Sequence, residues 1–397
     1  MSRKGTLAIL TGGGDVPGLN PAIRAVTIRA LQEGYRVLGI RRGWGGLVDL
    51  VPDTAADNSD AVIELTSEVV KRAARTGGTF LHSSRTRPSH LPRAFVPEHL
   101  AERYADDVND ITPDVLANLD FLGVDTLIAI GGDDTLSYAH RLHEDGVKVI
   151  AIPKTMDNDV PGTDYCIGFS TCVTRTIELA HRLRTSAGSH ERILVIEVFG
   201  RYAGFSALVP AMAGASDRCV IPEHPFDIDH LTRLLVEDRN ANPSRYSVVL
   251  VSEGATMPGE DDMVFSDDRA DQYGHKKLGG IGDRVSDAIR ERSAKYNGGR
   301  RINTTSQRLG YLVRSGDPDA LDSIVPMAFG NLALDLVEKG RSGLLVAVRN
   351  GVYDTVPVDA VVGTKKDVDV EEFYNTERLR PRYKSFSGKP LFIMTSS

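Results

Sequence analysis

Short apolar runs that stop at glycine, each followed by a helix-period stretch, recur along this chain and constrain its fold more than any other feature. "TLAILT" (6–11) reads as a strand, "NPAIRAVTIRALQEG" (20–34) as a helix closing on glycine, and "YRVLGIRRG" (35–43) as a strand again. Further strands are expected at 126–132, 148–154, 192–200, 246–254 and 308–316. Helices are expected over 135–145, 169–187, 203–213, 282–295 and 324–340. Parallel strands need a crossover between them, and the helix supplies it. The alternation therefore predicts an α/β protein with mainly parallel sheets. No internal repeat is visible. Residues 84–113, with several prolines and mixed charge, and 257–277, acidic and polar, read as surface elaborations: a lid, an interface or a long loop.

A length of 397 residues suits two or three domains, or two lobes sharing a cleft. The apolar share of 41% permits large cores. A formal charge of −7 argues against a general nucleic-acid surface but leaves room for a local basic pocket. Cys166, Cys172 and Cys219 are sparse and odd in number, with no CxxC, which points to a reduced protein without structural disulfides or zinc. The first residues, "MSRKGTLAILTGGGD", hold too short an apolar run for a signal peptide, and no stretch reaches transmembrane length. A soluble, cytoplasmic protein with no membrane or nucleic-acid partner is expected.

Chemistry concentrates where the strands meet glycine. "LTGGGDVPGLNPAI" (10–23) fails the dinucleotide fingerprint: counting from Gly12 puts Pro17 in the third glycine position, and counting from Gly13 puts Asp15 in the second. What remains is a glycine turn before a helix N-terminus. That suits an anion or simply tight packing, and Asp15 and Asn20 tilt it toward the anion. "IGGDDT" (130–135) repeats the architecture with two adjacent acids. Its glycines would let a ligand approach the main chain, and a carboxylate there suits Mg²⁺; a solvated turn with a helix cap fits equally well. In "IPKTMDNDVPGT" (152–163), Thr155, Asp157 and Asp159 stand at i, i+2 and i+4, sharing one face if the segment is extended, with Lys154 beside them. One acid can take a proton from a hydroxyl while the other orients it or holds metal; a salt-bridged Asn-Asp turn is the alternative. Arg85, Arg192, Arg201 and Arg314 lie near glycine loops or strand ends, where forked guanidinium donors suit phosphate. His82 and His190 read as polar loop residues, and neither HExxH nor GxxxxGK[ST] occurs.

Taken together and in order, "GGGDVPGLN", "GGTFLHSSR", "GGDDT", "PKTMDND", "SHERILVIEVFGRYAGF", "SEG" and "GYLVRSGDP" resemble the phosphofructokinase family over most of the chain. The resemblance implies two Rossmann-like three-layer lobes with the active site in the cleft between them. It places 1–168 plus 313–363 in a phosphoryl-donor lobe and 169–312 plus 364–397 in a sugar-phosphate lobe. It implies phosphoryl transfer to the 1-hydroxyl of fructose 6-phosphate with Mg²⁺. Carried over by position, Gly14 lies at the donor phosphates, Asp133 holds Mg²⁺ and Asp157 is the base. Thr155 and Asp159 support that base, and Arg85 reaches the transferring phosphate. Phe199, Gly200 and Arg201 occupy the sugar-phosphate motif, where methionine is commoner than Phe199. Glu253 meets sugar hydroxyls and Arg314 the 6-phosphate. Arg192 reaches a neighbouring subunit's sugar phosphate, which implies a homodimer or homotetramer.

ATP-using members of the family typically carry glycine at the positions of Asp134 and Lys154. A carboxylate at the first adds bulk and negative charge where an α-phosphate sits, and an ammonium at the second can hold a compact pyrophosphate. The pair resembles pyrophosphate-dependent members, so pyrophosphate is the expected donor and a reversible reaction the expected consequence. Two departures stand near Arg314. The family commonly has arginine nine residues upstream and histidine three upstream, where this chain has Thr305 and Tyr311. A related acceptor such as sedoheptulose 7-phosphate therefore stays open. The other readings are an ATP-dependent 6-phosphofructokinase, an NAD or lipid kinase with a "GGDG[TS]" turn, and a non-catalytic regulatory subunit. Retention of Asp157 speaks against the last. Asp217 falls near an effector position of regulated bacterial members, and no allostery is read from it.

Overall fold

The computed structural model describes residues 4–257, 265–270 and 276–383. The chain first lays down β1 (Thr6–Thr11), β2 (Arg36–Ile40), β3 (Val62–Glu64), β4 (Thr126–Gly131) and β5 (Val149–Pro153). It then builds a second sheet from β6 (Ile193–Val198), β7 (Arg218–Val220), β8 (Ser247–Ser252) and β9 (Thr304–Arg308). It returns to add β10 (Leu344–Arg349) and β11 (Val352–Pro357) to the first. The first sheet runs β11-β10-β5-β4-β1-β2-β3 and the second β9-β6-β8-β7. All pairings in the second are parallel; in the first, only the outer strands β3 and β11 run antiparallel to their neighbours.

The continuous apolar runs have a direct cause. In β1, Leu7 and Ile9 enter one core while Ala8 and Leu10 enter another, so both sheet faces are covered and no position is left for a polar alternation. β4 and β6 are buried at every residue. Four helices matter for the site: α1 (Leu19–Gln32), α2 (Asp133–Glu144), α3 (Phe169–Ser189) and α4 (Leu321–Glu338). α1 and α4 pack closely, and a Cβ at Gly330 would stand 2.9 Å from Ala25 Cβ.

The expected strand at 308–316 is corrected. The strand is β9, one step earlier, and residues 310–313 form a short 3₁₀ turn. β9 is an edge strand of half-buried polar residues, "TTSQR", so it carries no apolar signature; the apolar "GYLV" after it bends at Gly310, whose φ is +48°. β3, β7, β10 and β11 also lie beyond the strands anticipated above. Residues 84–113 hold 3₁₀ turns and one short antiparallel pairing, and their opening stretch lines the cleft rather than standing aside as an elaboration. The other expected elaboration, 257–277, falls mostly outside the described residues. All three cysteines are buried and unpaired by disulfide.

Asp322, on α4, fastens that helix to the start of α3. α3 has no side-chain cap of its own. The buried Asp322 carboxylate instead accepts from Gly168 N (2.7 Å), Thr171 N (2.8 Å), Thr171 Oγ1 (2.6 Å) and the Tyr165 hydroxyl (2.6 Å). Burial pushes the Asp322 carboxyl up to about 6, while these donors pull the other way. Asp322→Ala strands several buried donors and should destabilise the chain by about 3 kcal/mol or more. A urea titration reads this directly, and a change below about 1 kcal/mol would show that water or another group replaces the carboxylate.

Candidate active site

Nearly every anticipated functional residue follows the C-terminal end of a strand. Gly14 follows β1, Asp133 and Asp134 follow β4, and Lys154 to Asp159 follow β5. Phe199 and Arg201 follow β6, Glu253 follows β8, and Arg314 follows β9. These ends face a common cleft of about 760 Å³, the position in which open parallel sheets bind ligands. Arg85 and Thr155 line it as well.

At one end of the cleft the glycine loop is crowded with cations. Lys154 is buried, and its Nζ donates to Gly14 O at 2.7 Å. Burial pushes this ammonium down to about 8, Arg314 and Arg85 push the same way, and Asp15 and Asp133 resist. Arg314 donates through Nη2 to Asp15 O at 2.7 Å, and a Cβ on Gly14 would run into the same guanidinium. Of the glycines of "IGGDDT", Gly131 serves packing. A Cβ on Gly131 or Gly12 would collide with the buried Thr135 side chain, whereas one on Gly132 would meet only Lys154 O at 3.5 Å. Asp133 and Asp134 open α2 and are both exposed. Asp133 Oδ1 accepts from Asp134 N at 2.9 Å, and Asp134 Oδ1 accepts from Arg87 Nη2 at 2.7 Å.

The acids after β5 share the cleft, but not through an extended segment. Asn158 sits at φ +56°, fully buried, with Nδ2 donating to Asp164 O (3.0 Å) and Oδ1 accepting from Cys166 N (2.9 Å). This turn, tolerated by asparagine, sends both Asp157 and Asp159 inward. Thr155 Oγ1 accepts from Asp157 N at 3.2 Å. Asp157 Oδ1 is shielded from water and has no hydrogen-bond partner among the described residues. Desolvation, then Asp159 and Glu253, hold the Asp157 carboxyl well above the usual carboxylate range, opposed by Arg314 and the Arg201 N–H. Burial and then Asp133 raise Asp159, opposed by the Thr155 hydroxyl and Lys365.

Carboxylates in this cluster repel one another. Among the described residues no group of three His, Cys, Asp or Glu side chains forms a metal cage. Asp133 is exposed at the cleft and repels Asp159, an arrangement that suits a hard cation taking one or two carboxylates and completing its shell with phosphate and water oxygens. The donor set fits Mg²⁺ and lacks the nitrogen and sulfur ligands zinc prefers.

At the other end, the Arg314 guanidinium lies between the rings of Phe199 and Tyr311, 5.7 Å from each centroid. Gly200, at φ +119°, makes the turn between Phe199 and Arg201; a Cβ there would stand 2.8 Å from Ala203 O. Burial raises the Glu253 carboxyl to about 7 against the pull of Arg201, Arg308 and Arg314. Tyr311 is outside the cleft lining and 65% exposed, with its ring on Arg314. Arg192 is also outside. It precedes β6, at the end of that strand remote from Phe199, and its Nη1 donates to Thr305 Oγ1 at 3.2 Å.

A family model described as phosphofructokinase matches residues 6–337. The chain belongs to the phosphofructokinase family. A protein of Dictyoglomus thermophilum named pyrophosphate–fructose 6-phosphate 1-phosphotransferase is 36% identical over 93% of this chain and 98% of its own length. One of the same name from Streptomyces coelicolor is 40% identical over 91% of this chain and 96% of its own. Another from that organism, named ATP-dependent 6-phosphofructokinase 3, is 35% identical over 94% and 98%. In fold, the chain superposes on the crystal structure of a pyrophosphate-dependent phosphofructokinase from Marinobacter aquaeolei with a TM-score of 0.72, covering 95% of this chain and 88% of that one at 18% identity.

Membership of the phosphofructokinase family sets aside the NAD-kinase and lipid-kinase readings. Among the cleft residues that escaped the sequence reading are Trp44, Tyr202 and the cations Arg87, Arg141 and Lys365. Arg87 stands in the stretch taken for an elaboration, and its only signal is a second arginine two places after Arg85. Lys365 enters from "GTKKDVD", far along the chain and without a motif. Among the described residues no helix is long and apolar enough to cross a membrane.

Proposed function

We propose that this chain transfers a phosphoryl group from pyrophosphate to the 1-hydroxyl of fructose 6-phosphate, reversibly and with Mg²⁺, giving fructose 1,6-bisphosphate and phosphate. The observation that carries the donor assignment is the pairing of a buried Lys154 ammonium on the glycine loop with Asp134, which is tied to Arg87. The first compensates a compact, highly charged donor. The second puts a carboxylate, held by a guanidinium, where a longer nucleotide would have to pass. Two relatives bearing the pyrophosphate name support the same reading.

Phosphoryl transfer depends mainly on positioning and on neutralising charge. In this scheme Gly14, Lys154 and Arg85 hold the donor, with Asp134 beside it. Asp133 would hold Mg²⁺, with Asp159 behind it, and the ion would supply charge neutralisation at the donor phosphates. Asp157 takes the hydroxyl proton, and Thr155 orients the turn that carries it. Glu253 meets sugar hydroxyls; Arg201 and Arg314 meet the sugar phosphate, with Phe199, Gly200 and Tyr311 shaping their surroundings. Arg192, remote from its own cleft, is assigned to a neighbouring copy's sugar phosphate, which requires at least a homodimer. The donor lobe comprises 1–168 and 313–363, and the sugar lobe 169–312 and 364–397.

A relative named ATP-dependent matches the chain almost as well as those named for pyrophosphate, so the donor must be tested directly. Phosphorylation of fructose 6-phosphate with Mg²⁺ should be at least ~10²-fold more efficient with pyrophosphate than with ATP, the scale on which one misplaced charged contact discriminates at a phosphoryl site. Fructose 1,6-bisphosphate with inorganic phosphate should yield pyrophosphate. A preference for ATP overturns the donor assignment. Turnover with sedoheptulose 7-phosphate but not fructose 6-phosphate would overturn the acceptor instead and point to Thr305 and Tyr311.

A further inference from the structure

The segment after β11 holds two adjacent lysines with opposite surroundings, of which Lys365 lines the cleft. Lys366 is buried, and its Nζ donates to Thr163 O (2.9 Å) and Asp164 O (3.2 Å). Its backbone N–H reaches Asp159 O at 3.3 Å. Asp164 O is also the acceptor for Asn158 Nδ2, so Lys366 braces the turn that carries Asp157 and Asp159. Two residues on, Val368 N donates to Glu223 Oε1 (2.8 Å), which also accepts from Gly204 N (2.8 Å) in the loop following Tyr202. The segment is thus fastened to the acid turn on one side and to the loop after β6 on the other.

Immediately before these fastenings Lys365 is exposed at the cleft, with Nζ 3.3 Å from the centroid of the Tyr202 ring. Among the described residues it forms no ion pair. The buried Lys366 ammonium, held by two backbone carbonyls and lying 5.1 Å from the Phe205 ring centroid, is a costly tether, and an apolar side chain would fill that space at lower cost. The effect of the tether is to fix the chain on either side of Lys366. The aromatic face of Tyr202 then favours a cation at the spot where Lys365 ends.

We propose that Lys365 is a substrate-binding residue whose ammonium contacts a phosphate group of a bound ligand at the mouth of the cleft, and that Lys366 is the residue that positions it. The inference builds on the phosphotransferase reading above but needs only that the cleft bind phosphate. The chemistry recognised is a phosphate dianion, whether it belongs to the phosphoryl donor or to the sugar phosphate.

The chain has one tryptophan, Trp44, and it lines the same cleft, so binding can be followed by intrinsic fluorescence without turnover. Wild type, Lys365→Ala, Lys365→Arg and Lys366→Met should each be titrated with Mg-pyrophosphate and, separately, with fructose 6-phosphate. Lys365→Ala should weaken one of the two ligands by ~10-fold, in line with loss of a charge-assisted contact, and Lys365→Arg should restore most of it. The ligand affected identifies the phosphate. Lys366→Met should weaken the same ligand while retaining the wild-type urea midpoint. Unchanged affinities for both ligands in Lys365→Ala would overturn the proposal, as would an equal loss in Lys365→Arg. If Lys366→Met lowers the urea midpoint, Lys366→Arg, which retains a buried donor, decides the positioning role: wild-type affinity supports it and weakened affinity refutes it. A wild type that binds pyrophosphate yet turns over only ATP would refute the donor assignment and leave this result standing.

Discussion

Asp157→Ala should lower kcat by ~10²–10⁴-fold, the usual contribution of a positioned general base, with the KM for fructose 6-phosphate changed by less than ~3-fold. The expectation rests on one atom. Asp157 Oδ1 is hidden from water yet accepts nothing among the described residues, an expensive state for a carboxylate unless a ligand donor completes it. In the proposed reaction a sugar hydroxyl would supply that donor, and it is also the group that would have to lose a proton. The neighbours explain why Asp157 and not Asp159 is assigned the task. Thr155 and Lys365 both stabilise the charge on Asp159, whereas burial with Asp159 and Glu253 makes Asp157 the more basic. Asp157→Asn should be as slow as the alanine variant, because it keeps the shape and loses the basicity. Steady-state kinetics on the two variants check this. If Asp157→Asn keeps more than about a tenth of wild-type kcat, proton transfer to Asp157 is not part of the rate-limiting chemistry.

How much of this was legible in the sequence depends on what kind of information each part carries. The strands buried on both faces, β1, β4, β5, β6 and β8, were legible because double burial writes a continuous apolar run. β9 was misplaced because an edge strand with half-buried polar residues writes no such run. The glycine and acid motifs identified the cleft because each sits just past a strand end. Why the glycines are there was not legible: Gly131 and Gly12 make way for Thr135, a contact between separate motifs. The acids were expected to line up by extended alternation, and in fact a positive φ at Asn158 turns them in. Arg87 and Lys365 were missed for a related reason. Each stands in a stretch without periodicity or motif, and only the three-dimensional neighbours Asp134 and Tyr202 give it meaning.

The paired acids of "GGDDT" lead to the second large effect. Asp134→Gly combined with Lys154→Gly should cut pyrophosphate turnover by ~10²–10³-fold and raise ATP-dependent turnover above it. Lys154 accounts for most of the loss. It is the buried cation on the glycine loop, burial chiefly lowers its pKa, and a pyrophosphate bound there would favour the charged ammonium. Asp134 accounts for the gain. With its carboxylate removed, Arg87 loses a partner at 2.7 Å and can meet a nucleotide phosphate instead, so the variant both loses a repulsive charge and acquires an attractive one. The single variants separate the two contributions: Lys154→Gly should lose pyrophosphate use without gaining ATP, and Asp134→Gly should gain some ATP use while keeping pyrophosphate. If Asp134→Gly gains nothing and the double variant is simply inactive, the Asp134–Arg87 pair is not a barrier to nucleotides and donor choice lies deeper, at Lys154 alone. If pyrophosphate turnover survives the double variant, neither residue handles the donor, and Arg85 with a metal that Asp133 would hold must carry that role without them.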